Sequence, residues 1–207
     1  IGLPSRHWWP SGTEAGEGLD ALSRMGVAGF VQPVRVLVQV PAGRSAVDAA
    51  SLRGLMTLSD SLRADPRVRE VRSLVDLEAH GSLLGYSVLY SDLPAAHEKY
   101  GDFLDAYLST DRRLTLMDVI LSDTTSLTTA TDVVIHARTL AQAQLRGTKG
   151  MTVTVGGYSA AALDFQDALL ARFPLLVVLI LAATGVMLAI AFKSVLVPIK
   201  AIIMNTL

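Results

Sequence analysis

Phe173 to Phe192 reads FPLLVVLILAATGVMLAIAF, twenty consecutive residues without a charge. A helix rises about 1.5 Å per residue, so such a run covers roughly 30 Å, the thickness of a bilayer's hydrocarbon core. A buried helix of a soluble protein would normally carry a polar stripe, and this one has none. The segment therefore reads as a transmembrane helix. Its place late in the chain rules out a secretory signal. Lys193-Ser194 interrupts the apolar run, and a second one starts at Val195 and reaches Leu207, too short to span. It reads as the start of a further membrane helix, 195–207, and the chain as a piece of a polytopic protein. Lys193 and Lys200 are the charges beyond the span, which by the positive-inside rule puts that side in the cytoplasm and residues 1–172 outside it.

The rest of the chain has a different composition. All 19 acidic and 16 of the 18 basic residues fall within 1–172, which carries a net charge of −3. With 51% hydrophobic residues overall the chain has ample surface to bury, so disorder is excluded. The overall charge of −1 argues against a basic nucleic-acid surface. There is no cysteine, hence no disulfide framework and no thiolate chemistry.

Within this body, residues 1–30 read as a lead-in after a preceding membrane helix. Trp8 and Trp9 suit either interfacial anchors or packing at the base of the folded body. Ser11 and Glu14 have capping-box spacing for a short helix over 12–25, ended by Gly26 and Gly29. Val34–Val40 alternates and is β-branched, a strand. A helix over 46–64 follows, with Ser45 and Asp48 as its capping pattern and Leu52, Leu55, Met56 and Leu62 at helical period. Val68–Val75 reads as a second strand. A helix over 94–108 begins after Asp92, with Pro94 in its first turn. Leu114–Leu121 is a strand, 126–146 a helix with Gly147 as its C-terminal glycine, and Met151–Val155 a last strand. Two strand-helix-strand units of equal length, Val34–Val75 and Leu114–Val155, predict an α+β fold: a ferredoxin-like split βαβ domain over 31–157, with 80–111 inserted between the halves. Ser159 would cap a connecting helix over 158–172 that runs into the span at 173–192. Pro174 would sit near the bilayer surface and bend it.

Chemical motifs give little. Gly157-Tyr158-Ser159-Ala160-Ala161 imitates a nucleophile elbow, but all four histidines (His7, His80, His97, His136) precede the serine and a membrane helix follows it. His97-Glu98 starts like a zinc-protease helix, yet position 101 is glycine. Gly156-Gly157 lacks the lysine of a phosphate loop. The expectation is no enzyme, no metal and no cofactor. Asp164 and Asp167, just before the span, suit a wall of a substrate path, a contact to another domain, or a solvated helix face. Tyr86, Tyr90, Phe103 and Tyr107 are candidate lining residues for an apolar substrate, with core packing the plainer role for each. The span carries no ionisable residue with which to relay a proton.

The run Ala191-Phe192-Lys193-Ser194-Val195-Leu196-Val197-Pro198-Ile199-Lys200-Ala201, followed by Asn205-Thr206-Leu207, resembles the MmpL family of actinobacterial membrane proteins within the resistance-nodulation-division superfamily. Val155-Gly156-Gly157-Tyr158-Ser159-Ala160 with Asp164 is similar to that family's Gly-Gly turn and aspartate leading into a membrane helix. Leu3-Pro4 and Pro33-Val34 are weaker likenesses. The resemblance implies a multi-pass protein of a bacterial inner membrane, with two related halves and proton-driven export of lipids or other hydrophobic compounds. This chain would be the second periplasmic porter domain with the helix after it. Gly156, Gly157, Asp164 and Pro174 would form the turn and coupler between domain and membrane. Its partners would be membrane lipids, a hydrophobic or lipid substrate, the remaining membrane helices and the first periplasmic domain, with room for a homo-oligomer or accessory proteins. From the residues alone, a membrane-anchored sensor or scaffold and a secretion-accessory protein of the same superfamily stay open.

Overall fold

The computed structural model describes residues 12–78, 81–122, 127–145 and 150–192. Trp8, Trp9, Ser11, His80, Gly147 and the 195–207 segment lie outside them. The chain divides into two units, Ile1–Ala162 and Leu163–Leu207.

In the first unit, α1 (Glu14–Arg24) is capped by Thr13, whose hydroxyl accepts from the Gly16 N–H. A 3₁₀ turn, Ala28–Phe30, leads into β1 (Val34–Gln39). Gly29 therefore does not end α1. It lies in the turn, where a Cβ would fall 2.0 Å from the Leu121 carbonyl oxygen, so only glycine lets this turn sit on the sheet. α2 (Ala49–Arg63) starts later than its sequence spacing predicts, because Asp48 is its N-cap and accepts from the Ser51 N–H at 2.7 Å. β2 (Val68–Arg72) ends short of Val75. The chain turns there, with the Ser73 hydroxyl donating to Asp76, although Leu74 and Val75 stay buried. The 80–111 stretch holds two helices where one was expected. α3 (Leu83–Leu89) is capped by Ser82, and α4 (Leu93–Tyr107) is capped by Asp92 and kinked at Tyr100. β3 (Leu114–Leu121), α5 (Leu127–Leu145) and β4 (Thr152–Gly156) complete the unit.

The sheet order is β2-β3-β1-β4 with every neighbouring pair antiparallel. The two strands of each strand-helix-strand unit are thus separated by one strand of the other unit. β1 alternates buried and exposed residues along its length. Val34, Val36 and Val38 face inward opposite Val119, Met117 and Thr115 of β3. α2 and α5 pack beside each other on that face. Leu52, Leu55, Leu58 and Leu62 of α2 are buried, as are Ala130, Val133, Val134, Ala137 and Ala141 of α5. Each buried leucine or valine contributes about 1.5–3 kcal/mol relative to exposure. On the opposite sheet face lie Arg35, Leu37 and Asp118, approached by α4.

α6 (Tyr158–Phe192), 35 residues with Pro174 inside it, starts in the first unit and makes up the described part of the second. It is the helix among the described residues long and apolar enough to cross a membrane, and its most apolar stretch is not buried at all. Leu175, Val178, Ile180, Val186, Met187 and Ile190 are exposed large apolar side chains. A helix this apolar with no protein cover suits lipid rather than water.

Candidate functional site

The sheet ends where α6 begins. Gly156 is the last residue of β4 and pairs with Arg35 of β1. Gly157 has φ +99°, a conformation L side chains rarely adopt. A Cβ at Gly157 would meet the Pro33 carbonyl oxygen at 2.9 Å and the Arg35 nitrogen at 3.4 Å, whereas a Cβ at Gly156 would meet nothing within 4 Å. The two glycines are thus unequal, which their adjacency in sequence does not reveal.

The Gly157 carbonyl accepts from the Ala161 N–H at 3.0 Å and opens α6. Ser159 is not the N-cap. It lies in the first turn of the helix and is 3% exposed, beside the buried Ala160. A buried serine in a helical turn presents no exposed nucleophile. Asp164, further along α6, is exposed. Pro174 has no N–H to give the Leu170 carbonyl, so one rung of the α6 hydrogen-bond ladder is missing there.

The four aromatic candidates form two stacked pairs. Tyr86 and Tyr90 are 2% and 4% exposed, with ring centroids 6.3 Å apart. The Tyr90 hydroxyl donates to the Leu74 carbonyl at 2.6 Å, and the Tyr86 hydroxyl accepts from the Glu78 N–H at 3.2 Å. Burial pushes both phenols above their ordinary range. Phe103 and Tyr107 are half-buried and stack at 4.3 Å. The Tyr107 hydroxyl donates to Asp118 at 2.9 Å. Burial, then the hydrogen bond to this carboxylate, raises Tyr107 to about 12. Asp118 also lies 3.5 Å from Arg35.

The charged groups that sequence spacing does not single out are structural anchors. Asp76 accepts from Ser59 at 2.7 Å, from Arg63 at 2.5 Å and from Ser73. Asp65 is gripped by Arg67 through its guanidinium and its backbone N–H. No group of three or more acidic or histidine side chains able to hold a metal occurs among the described residues.

The comparison with known proteins settles the family. The family model described as MMPL family matches residues 9–206, taking in both the folded body and the apolar helix. The chain belongs to the MMPL family. Curated members of that family with the most similar stretches include the trehalose monomycolate exporter MmpL3 of Mycobacterium tuberculosis (strain ATCC 25618 / H37Rv), 49% identical over 59 residues. The probable trehalose monomycolate exporter MmpL3 of Mycobacterium leprae (strain TN) is 41% identical over 59 residues. Each match covers 28% of this chain and 6% of the relative. The chain thus spans a small part of the length of these MMPL relatives.

Proposed function

We propose that the chain is part of a lipid exporter of the MMPL family, in which the βαβ body shelters an apolar substrate outside the cytoplasm. The observation that carries this reading is the family match across residues 9–206. The MmpL3 relatives, named as exporters of trehalose monomycolate, support a lipid-like cargo. The strand order β2-β3-β1-β4, with helices α2 and α5 on one face, supports the finer assignment of a ferredoxin-like porter domain over 31–157.

In this reading α6 serves as connecting helix over 158–172 and as membrane span over 173–192, in a multi-pass inner-membrane protein. Gly156, Gly157, Asp164 and Pro174 form the coupler between body and membrane. Phe103 and Tyr107, half-exposed, are the aromatics placed to touch an apolar cargo, while Tyr86 and Tyr90 hold the domain together from inside. The remaining membrane helices and a companion periplasmic domain complete the transporter, and the proton gradient drives it. No residue here is given a catalytic role.

Disruption of the intact gene tests the proposal. Extracted surface and intracellular lipids would be compared with those of the parent and of a complemented strain. We expect one lipid class to fall at the surface and accumulate inside, with collapse of the proton gradient reproducing the effect in the parent. Unchanged partitioning of every lipid class would overturn the reading.

A further inference from the structure

Among the described residues, Arg112 is the one non-glycine with a positive φ, +57°. The fold demands this geometry. The Arg112 N–H donates to the Ser109 carbonyl at 2.8 Å, and the Arg112 carbonyl accepts from the Ala46 N–H at 2.7 Å. The Ser45 hydroxyl donates to the same carbonyl at 3.4 Å. Backbone contacts therefore fix a left-handed residue here, which glycine adopts freely and asparagine with little cost. Nothing in those contacts calls for arginine. The strain of a long side chain at such a position is tolerated where the side chain has a use.

Arg112 lines a groove between α4 and the turn before β3. Among the described residues its guanidinium makes no hydrogen bond or ion pair. Leu93, Pro94, Leu104 and Leu108 supply apolar lining to the groove. His97 lines the groove together with Arg112. Its Nδ1 lies 3.9 Å from Asp105, a carboxylate that also lines the groove but is largely exposed, so that solvent screens its charge. A guanidinium and an imidazole in a groove that also carries leucine side chains match an anionic head with an alkyl chain behind it.

We propose that the groove between α4 and the Ser109–Arg113 turn binds an anionic amphiphile, with Arg112 and His97 on the charged head and Leu93, Leu104 and Leu108 on the chain. The site stands on the geometry of the first unit and does not require the export reading.

The full chain in phosphatidylcholine nanodiscs would be labelled with an alkyl phosphate carrying a diazirine in its chain, and the cross-links mapped by mass spectrometry. We expect labelling within Leu93–Leu108, displaced by dodecyl phosphate but by neither inorganic phosphate nor dodecyl maltoside. Arg112→Gly should cut labelling at least five-fold while its melting temperature stays level or rises, because glycine relieves the backbone. Arg112→Asn should lose labelling similarly, and Arg112→Lys should keep most of it. Labelling that is unchanged in Arg112→Gly, or that follows melting temperature across the series instead of side-chain charge, would overturn the site. So would equal displacement by dodecyl maltoside, which would mark a merely oily surface, or by inorganic phosphate, which would mark a simple anion site.

Discussion

The Pro33 carbonyl oxygen stands 2.9 Å from where any side chain at Gly157 would begin. That contact, with a φ of +99°, makes Gly157 the constrained member of the Gly156-Gly157 pair. Gly157→Val should destabilise the folded body by about 2 kcal/mol or more, from backbone strain and displacement of the β1 start. Gly156→Ala should stay within about 0.5 kcal/mol of wild type, because the space beside it is open. Thermal unfolding followed by circular dichroism checks both. In the exporter proposed above, the Gly157 variant should also impair export. Equal tolerance at the two positions would remove Gly157 from the proposed coupler.

The Arg67–Asp65 contact predicts an acid response. Hydrogen bonds from Arg67, working against burial, hold the Asp65 carboxyl down at about 2, below its ordinary 3.8. A depressed carboxylate contributes stability that is complete above the unfolded value. That contribution fades as pH falls from about 4 through about 2. Its size is about 2 kcal/mol. Asp65→Asn should therefore be less stable than wild type by about that amount at pH 7, with the gap closing toward pH 2. Denaturant melts at pH 7, 4, 3 and 2 give the comparison, and a gap that does not change with pH would refute the assignment.

The bare surface of α6 predicts membrane dependence. Leu179→Asp with Ala183→Asp places two carboxylates one turn apart in the middle of the apolar run. Each costs about 2.5–3.5 kcal/mol at a bilayer's centre. The 207-residue chain should then move from the membrane pellet to the soluble or aggregated fraction after an alkaline wash. Full retention in the pellet would contradict the span.

Local pattern carried much of this fold. β3 occupies the predicted Leu114–Leu121 without change, and the predicted face of α5 is buried at Ala130, Val133, Val134, Ala137 and Ala141. Alternation and helical period are properties of adjacent residues, so they are readable in one dimension. α3 escaped notice because seven residues with Gly85 and Val88 inside give too short a periodic signal. β2 was read too long because Leu74 and Val75 are apolar and buried, as strand residues would be, yet the Ser73–Asp76 turn has already taken the backbone away. Ser159 has the chemistry of an N-cap. Gly157, two residues earlier, instead accepts the hydrogen bond that opens the helix, and packing buries the serine.

The amino-acid order alone determined that a polar, foldable body precedes a charge-free helix, because charge and apolarity are counted along the chain. It also determined the succession of strands and helices, because their periods are local. Only the tertiary structure decided the order of strands in the sheet and which of two adjacent glycines is indispensable. It alone showed Arg112 held left-handed beside a groove that leucines help to line. Those outcomes turn on close approaches between atoms distant in sequence, Pro33 to Gly157 and Ala46 to Arg112. A linear pattern holds no record of such distances.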